Sequence, residues 1–338
     1  MKITATPFEL ELRYPFTISK FSRTSTPVML VRIEHEGFTG YGEASMVPYM
    51  GESMETALAF LEKTDLSWVK FPFAFQEITD YLDSLAPGNP NIKAAIDIAL
   101  HDLRGKIEGK PCYRYFGSDP ALMPVTTITI GIDTPEVVIR KVKEAHMARV
   151  LKVKIGRDND RELITTIRSV SDQPIYVDAN QGWTDREAAL DLIHWLHEQN
   201  VVLIEQPMAR DDRDSNAWIT ERSPIAIVGD EAVQRLADVD LAAGVYHGIN
   251  MKLMKSAGMS EGYQMILRAK ELGLKVLIGC MSETSCATLA GAALAPLCDW
   301  ADLDGPFLTR NNPFEDPEFR DGKWILSEQP GLGLKFRD

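Results

Sequence analysis

From Thr129 onward, short apolar runs recur along the chain, and each ends in polar or ionisable residues. They are TITIG ending near Thr129, LKVKIG with Lys152 and Lys154, IYVDANQGW with Asp178, VVLIEQP with Glu205, IAIVGDE with Asp230, GINMKL with Lys252 and WADLDG with Asp302 and Asp304. The marker residues from Thr129 through Lys154, Asp178, Glu205 and Asp230 to Lys252 lie 25, 24, 27, 25 and 22 residues apart. The gap from Lys252 to Asp302 is about twice as long, and KVLIGCM (Lys275 to Met281) falls midway in it as an eighth run. Eight strands separated by helix-length segments, each with polar residues at its C-terminal end, predict a β/α barrel whose rim carries the chemistry.

The chain before the barrel has a different period. MKITATPFELEL alternates like a strand, and PVMLVRIEHEG and FTGYGEA predict a meander turning at Glu36–Gly37. Residues 52–116 read as mostly helical, ending in NIKAAIDIALHDLRGKIEGK before Pro111. The chain therefore divides near residue 118, into an α+β unit over 1–118, the barrel over 119–311 and a tail over 312–338. In the tail, GKWILSE is expected to return as a strand to the first unit. Thr184 and Glu187 are expected to form a capping box at the start of the helix that carries His194 and His197. The Gly-rich QPGLGLK is not set between a strand and a helix, so it has no phosphate-binding role.

Side-chain direction decides what the rim residues can do. Positions i and i+2 of a strand share a face. In LKVKIG, Leu151, Val153 and Ile155 must meet the helices, so Lys152 and Lys154 enter the barrel. The same parity turns Asp178 with Asn180, and Asp302 with Asp304, inward, and leaves Val177, Ala179 and Leu303 outside. On an antiparallel sheet with one wet side, K-x-K and D-x-D would be ordinary solvated faces. Parallel barrel strands are covered on both faces, so ionised groups there need partners.

Composition alters this picture only at the edges. A net charge of −13, from 49 acidic and 36 basic residues, argues against a nucleic-acid or anionic-membrane partner. The N-terminus lacks the apolar core of a signal peptide. CATLAGAALAPLC (Cys286 to Cys298) is too short to span a bilayer and is expected to be a barrel helix packed closely on its strand. The four cysteines form no C-x-x-C pair and no zinc-like spacing, which points to reduced thiols and a cytoplasmic setting. A homo-oligomer is compatible with all of this.

Asp178, Glu205 and Asp230 come from consecutive strands and lie side by side. Three anions so close repel, and at least one is protonated unless a cation sits among them. All-oxygen ligation with no His or Cys points to a hard ion, Mg²⁺ before Ca²⁺ because few protein ligands are offered. A glycosidase-like carboxyl pair is the alternative, but it leaves three inward lysines unexplained. A lysine beside a divalent cation and a second lysine is pushed toward its neutral form, with a pKa near roughly 7–8, where it can act as a base. Lys154 and Lys252 lie on opposite sides of the barrel, one for each face of a substrate α-carbon, as a racemase or epimerase requires. Lys152 and the metal would stabilise the enediolate. A barrel that only binds small metal-chelating acids is the non-enzyme alternative, and it predicts no exchange of substrate α-hydrogen with solvent.

With these residues in view, the chain resembles a known family. K-V-K, D-A-N-Q-G-W, I-E-Q-P, G-D-E and N-M-K-L, with G-Y-G-E-A and A-I-D-I-A-L-H-D-L-R-G-K before them, are similar to the muconate-lactonising-like subgroup of the enolase superfamily. The resemblance covers the whole chain and implies a modified TIM barrel of (β/α)7β type under an α+β capping domain. D-L-D-G-P at Asp302–Asp304 resembles the dipeptide epimerases, including the L-Ala-D/L-Glu epimerases. Carried over, the resemblance implies Mg²⁺ on Asp178, Glu205 and Asp230, Lys154 and Lys252 as the bases and an electrophilic Lys152. It further implies a substrate contact at Thr129, and Asp302 and Asp304 on the α-ammonium of a dipeptide whose C-terminal α-carbon is inverted. Two carboxylates also suit an ammonium on their own chemistry. That disfavours o-succinylbenzoate synthase and muconate cycloisomerase, whose substrates lack one.

The same resemblance implies that loops at about Ser19–Thr26 and Met46–Gly51 cover the barrel mouth, with Cys280, Met281 and Ser282 as further walls. Some relatives meet a glutamate side chain with an arginine in the first loop. An ungapped comparison sets Phe21 there, flanked by Lys20 and Arg23. An aromatic ring offers no charge partner, so the expectation is a small or apolar C-terminal residue in an Ala-Xaa dipeptide, with L-Ala-D/L-Glu epimerase proper as the alternative.

Overall fold

In the computed structural model, which describes residues 1–17, 22–47, 50–156 and 159–337, the chain opens with three antiparallel strands. These are β1 (Lys2–Thr17), β2 (Ser22–His35) and β3 (Phe38–Ser45), paired in that order. The turn at Glu36–Gly37 is present. Both residues have positive φ, 48° and 85°, as a two-residue hairpin demands, and His35 pairs with Phe38 across it. Helices α1 (Met54–Lys63), α2 (Phe75–Leu85) and α3 (Pro90–Glu108) follow.

Helix α3 is buried on nearly every face, which accounts for its run of Ile, Ala and Leu. On one side it lies against β3, and the two glycines of G-Y-G make that approach possible. A Cβ at Gly40 or Gly42 would stand 2.0 or 1.9 Å from the carbonyl oxygens of Ala99 and Ala95.

The eight predicted runs are eight strands. They are β4 (Thr127–Ile130), β5 (Val150–Lys154), β6 (Ile175–Asp178), β7 (Val201–Glu205), β8 (Ala226–Gly229), β9 (Gly248–Lys252), β10 (Lys275–Gly279) and β11 (Trp300–Asp302). Neighbours in sequence are parallel neighbours in the sheet, and a bridge from Thr126 to Ala301 nearly closes it into a barrel. Helices α4 (Pro135–Glu144), α5 (Asp160–Arg168), α6 (Arg186–Glu198), α7 (Arg213–Arg222), α8 (Leu236–Ala242), α9 (Met259–Glu271) and α10 (Ser285–Leu294) alternate with the strands. Every residue of α10 is buried, as its small side chains led us to expect. No helix among the described residues is long and apolar enough to cross a membrane.

The strand parity holds. Leu151, Val153, Ile155, Val177, Ala179 and Leu303 belong to the large core between strands and helices. Val150, Tyr176, Leu203, Val228 and Leu277 form a separate apolar cluster inside the barrel. Each of the inward lines Val150–Lys152–Lys154, Tyr176–Asp178, Leu203–Glu205 and Val228–Asp230 therefore begins in an apolar floor and ends in ionisable groups at the rim.

Two local expectations are corrected. Helix α6 is capped by Asp185, whose carboxylate accepts from the backbone N–H groups of Glu187 and Ala188 at 2.9 and 3.1 Å, so Thr184 is not the cap. The tail does not add a strand to the first sheet. After α11 (Gly305–Leu308), Lys323–Trp324 pairs with Phe319–Arg320 in its own small hairpin, strands β12 (Phe319–Arg320) and β13 (Lys323–Trp324). Trp324 is fastened to the barrel by donating to the Leu303 carbonyl at 2.7 Å. The apolar K-W-I-L run is read by the barrel, which offers Phe307 to stack on Trp324.

Candidate active site

The inward residues meet in a small cavity at the C-terminal ends of the strands, lined by Lys152, Lys154, Lys252, Asn180, Asp302 and Asp304 among others. Each is buried. One carboxylate oxygen each from Asp178, Glu205 and Asp230 lies within 4.8 Å of the other two. Lys154 and Lys252 stand on β5 and β9, four strands apart in a barrel of eight, and so on opposite sides of this triad.

The ionic pairing is dense. Lys152 Nζ is 2.7 Å from Glu205 Oε2, 2.7 Å from Asp302 Oδ2 and 3.3 Å from Asp178 Oδ2. Lys154 Nζ is 2.6 Å from Asp178 Oδ2, and Lys252 Nζ is 2.6 Å from Asp230 Oδ2. Burial alone would lower Lys152, but Asp302, Glu205 and Asp178 outweigh it and hold the ammonium well above the ordinary lysine range. An ammonium favoured in this way suits an electrophile better than a base.

The members of the triad act on one another. Burial, then the charge of Asp178, pushes Glu205 up to about 8. Burial also works against Asp178, yet Lys154 and Lys152 overcome it and keep that carboxyl below its ordinary value. Three buried, converging oxygen donors, with burial and mutual repulsion set against their ionised forms, fit a hard divalent cation. Two neighbours hold the ligands in orientation. Asn250 donates to Glu205 Oε1 at 2.7 Å, and the Asn180 N–H donates to Asp178 Oδ1 at 2.9 Å.

Asp302 and Asp304 differ in surroundings. Asp302 accepts from Thr127 Oγ1 at 2.5 Å and from Lys152 at 2.7 Å, and its carboxyl is lowered because Lys152 outweighs burial. Asp304 accepts from the Thr129 N–H at 2.7 Å, and the Cys280 thiol points to it at 3.6 Å. Burial, then the charge of Asp302, raises it to about 6. A cationic group set against this pair would relieve both effects.

Of the mouth residues, Phe21 and Lys20 lie outside the described residues. Arg23 is described, and it lines the cavity with Phe16, Met281 and Ser282. Its Nη2 donates to Ser282 Oγ at 2.8 Å, and its guanidinium lies 5.4 Å from the centre of the Phe16 ring. Cys280, Met281 and Ser282 are walls, as expected.

Sequence reasoning missed Lys255. Its Nζ donates to Asp230 Oδ1, the Asp230 carbonyl and the Asn250 carbonyl at 2.6, 2.7 and 2.8 Å. The signal was the second lysine of K-L-M-K, whose reach depends on the turn that follows β9. Phe16 and Glu43 were also missed as contacts. Glu43, in the G-Y-G-E-A motif of β3, is buried and accepts from the Thr284 and Ala287 N–H groups at the start of α10.

A barrel with an acidic triad between two inward lysines defines a class of proton-abstracting, cation-dependent enzymes. The chain belongs to the mandelate racemase/muconate lactonizing enzyme family of the enolase superfamily. Residues 2–117 match the model of the mandelate racemase/muconate lactonizing enzyme N-terminal domain, and residues 137–338 match that of the enolase C-terminal domain-like fold. The chain is 52% identical over 335 residues to the L-Ala-D/L-Glu epimerase of Bacteroides thetaiotaomicron, covering 99% of this chain and 88% of that one. It is 31% identical over 342 residues to the hydrophobic dipeptide epimerase of Roseobacter litoralis, covering 98% of each. In structure it resembles the dipeptide epimerase of Enterococcus faecalis, solved with Mg and L-Leu-L-Tyr, with a TM-score of 0.91, 30% identity and 98% of each chain covered.

Proposed function

We propose that this protein is a Mg²⁺-dependent dipeptide epimerase that inverts the α-carbon of the C-terminal residue. The observation that carries this is the pair Lys154 and Lys252 on opposite sides of one acidic triad, with Asp302 and Asp304 beside it. One lysine takes the α-proton from one face, and the other returns a proton on the opposite face. Asp178, Glu205 and Asp230 would hold the ion, which supplies positive charge for the substrate carboxylate. Lys152 carries charge into the same region and favours the enediolate, with its added negative charge, over the carboxylate from which it forms. Asp302 and Asp304 take the ammonium end. A substrate without an ammonium would leave Asp304 buried beside Asp302 with only Lys152, already shared among Asp302, Glu205 and Asp178, to offset their charge, which argues against a cycloisomerase or an o-succinylbenzoate synthase. The four free thiols suit a reducing, cytoplasmic setting.

The side chain of the C-terminal residue is read at the cavity mouth. The apolar preference expected from the sequence rests on Phe21, whereas the described wall includes Arg23. A guanidinium beside the cavity favours an acidic side chain, because a carboxylate can be buried there only if it is paired. We therefore propose Ala-Glu as the preferred substrate. Phe16 and Met281 in the same wall support Ala-Xaa dipeptides with an apolar residue as the second choice.

The test is α-hydrogen exchange in D₂O. L-Ala-L-Glu and L-Ala-D-Glu should each gain deuterium at the C-terminal α-carbon and interconvert. EDTA should stop both processes and Mg²⁺ restore them. Turnover undiminished in metal-free protein would remove the triad from the mechanism, and binding without exchange would leave only a small-acid binding barrel.

A further inference from the structure

The turn after β9 brings a fourth lysine to the triad. Lys252 ends the strand, and the N–H groups of Lys255 and Ser256 both donate to its carbonyl, at 2.9 and 3.0 Å. The turn then runs into α9, whose first N–H groups are held by Asp97 of α3 at 2.6 and 3.0 Å. Its conformation is thus fixed from the barrel on one side and from the capping layer on the other. The Lys255 side chain is 2% exposed, and it does not face the catalytic cavity, whereas Lys252 does.

An ammonium has three protons to donate and no lone pair to accept with. Lys255 Nζ meets three acceptors, Asp230 Oδ1, the Asp230 carbonyl and the Asn250 carbonyl, at 2.6, 2.7 and 2.8 Å. Every proton is engaged within the protein and none is left for a substrate, so Lys255 is not a third base. What it grips is a member of the triad. Gln206 Oε1 accepts from the Asp230 N–H at 3.0 Å, and Lys255 holds the carbonyl and one carboxylate oxygen of the same residue. With main chain and Oδ1 both held, the side-chain torsions of Asp230 are set, and Oδ2 is left toward Lys252 at 2.6 Å. The same ammonium holds the carbonyl of Asn250, whose side chain orients Glu205.

Lys252 has two duties that conflict. It pairs with Asp230, and as a base it has to carry its Nζ to the substrate α-carbon. An Asp230 oriented by Lys252 alone would lose its orientation at that moment. Resting on the two-lysine reading of the site, we propose that Lys255 is a positioning residue that holds Asp230 in place as a single-oxygen ligand while Lys252 works. It acts through Asp230 and touches no reacting atom. It serves the Lys252 face of the reaction more than the opposite face, because Lys154 pairs with Asp178 at 2.6 Å and not with Asp230.

The test uses Lys255→Met, which keeps the apolar stem and removes the donors, with Lys255→Gln as a second variant. Mn²⁺ titrated into the metal-free proteins and followed by EPR should bind about ten- to a hundredfold more weakly than to wild type, the usual effect of removing a group that orients a metal ligand. Loss of a positive charge by itself would act in the other direction, so binding as tight as in wild type, or tighter, overturns the positioning role. At saturating Mg²⁺, initial α-hydrogen exchange in D₂O is then compared for L-Ala-L-Glu and L-Ala-D-Glu, and for the two Ala-Ala diastereomers so that side-chain preference does not decide it. The ratio of the two rates should shift by about tenfold against the diastereomer that Lys154→Ala still exchanges, which is the one served by Lys252. An unaltered ratio, with both rates lowered equally or neither lowered, overturns the proposal, and so does a shift against the other diastereomer. Failure of both variants to fold would assign Lys255 to the fold itself and overturn it as well. Absence of exchange in wild type with all four dipeptides would overturn the two-lysine reading and the proposal together, and is told apart by that general loss.

Discussion

At the scale of single residues, charge partners decide most of what the site can do. Arg23 is the cation that the described mouth adds to the three lysines of the rim, and it stands on β2, outside the barrel. Replacing it by glutamine keeps a hydrogen-bond donor for Ser282 and removes the charge. Arg23→Gln should lower kcat/KM for Ala-Glu by a factor of about ten to a hundred, the effect of losing a charge-assisted hydrogen bond worth roughly 1.5–3 kcal/mol. Ala-Ala should change little. Steady-state kinetics on both substrates decide it, and an equal loss on both would assign Arg23 to holding the loop and not to reading the side chain. The residues legible in the sequence were those fixed by strand parity. Lys152, Lys154, Asp178 and Asp302 sit where period 2 and burial on both sheet faces require. Lys255 was not legible, because it reaches Asp230 from a turn, where no period fixes the direction of a side chain.

At the scale of elements, the capping layer and the barrel are joined by carboxylates that cap barrel helices. Asp97 of α3 accepts from the Met259 and Ser260 N–H groups at 2.6 and 3.0 Å, at the first turn of α9. Glu43 of β3 does the same for α10. Both carboxyls are raised by burial, Asp97 to about 6, and the helix N–H groups act against that rise. Asp97→Ala leaves two N–H groups of a buried helix end without a partner and should cost about 1–3 kcal/mol of stability. A urea melt would register this as a lower midpoint, and an unchanged midpoint would mean that water replaces the carboxylate there. These links explain where sequence reasoning stopped. The eight strands and the Glu36–Gly37 turn follow from local pattern, but the roles of Asp97 and Glu43 depend on contacts more than a hundred residues away. The misplaced tail strand has the same origin, since K-W-I-L reads as a strand anywhere and only the Leu303 carbonyl and Phe307 decide where it lies. At α6 the capping-box pattern set the cap at Thr184, one residue short of Asp185, whose carboxylate takes the first-turn N–H groups.

At the scale of the whole molecule, the barrel turns a linear order of motifs into a ring, and the ring gives the two lysines their opposition. Strands β5 and β9 are distant in sequence and antipodal in space, with the triad of β6, β7 and β8 between them along one arc and β10, β11 and β4 along the other. The α-carbon must lie between two bases for inversion, and no arrangement on a single strand or loop would provide that. The most direct test of this geometry is stereospecific α-hydrogen exchange in D₂O by Lys154→Ala and Lys252→Ala, followed by NMR on L-Ala-L-Glu and L-Ala-D-Glu separately. Each variant should lose interconversion by at least about a hundredfold, the contribution of a positioned base. Each should still exchange the α-hydrogen of one diastereomer only, with the two variants retaining opposite ones. If either variant interconverts the diastereomers at the wild-type rate, or if both retain exchange of the same diastereomer, the two-base account is contradicted.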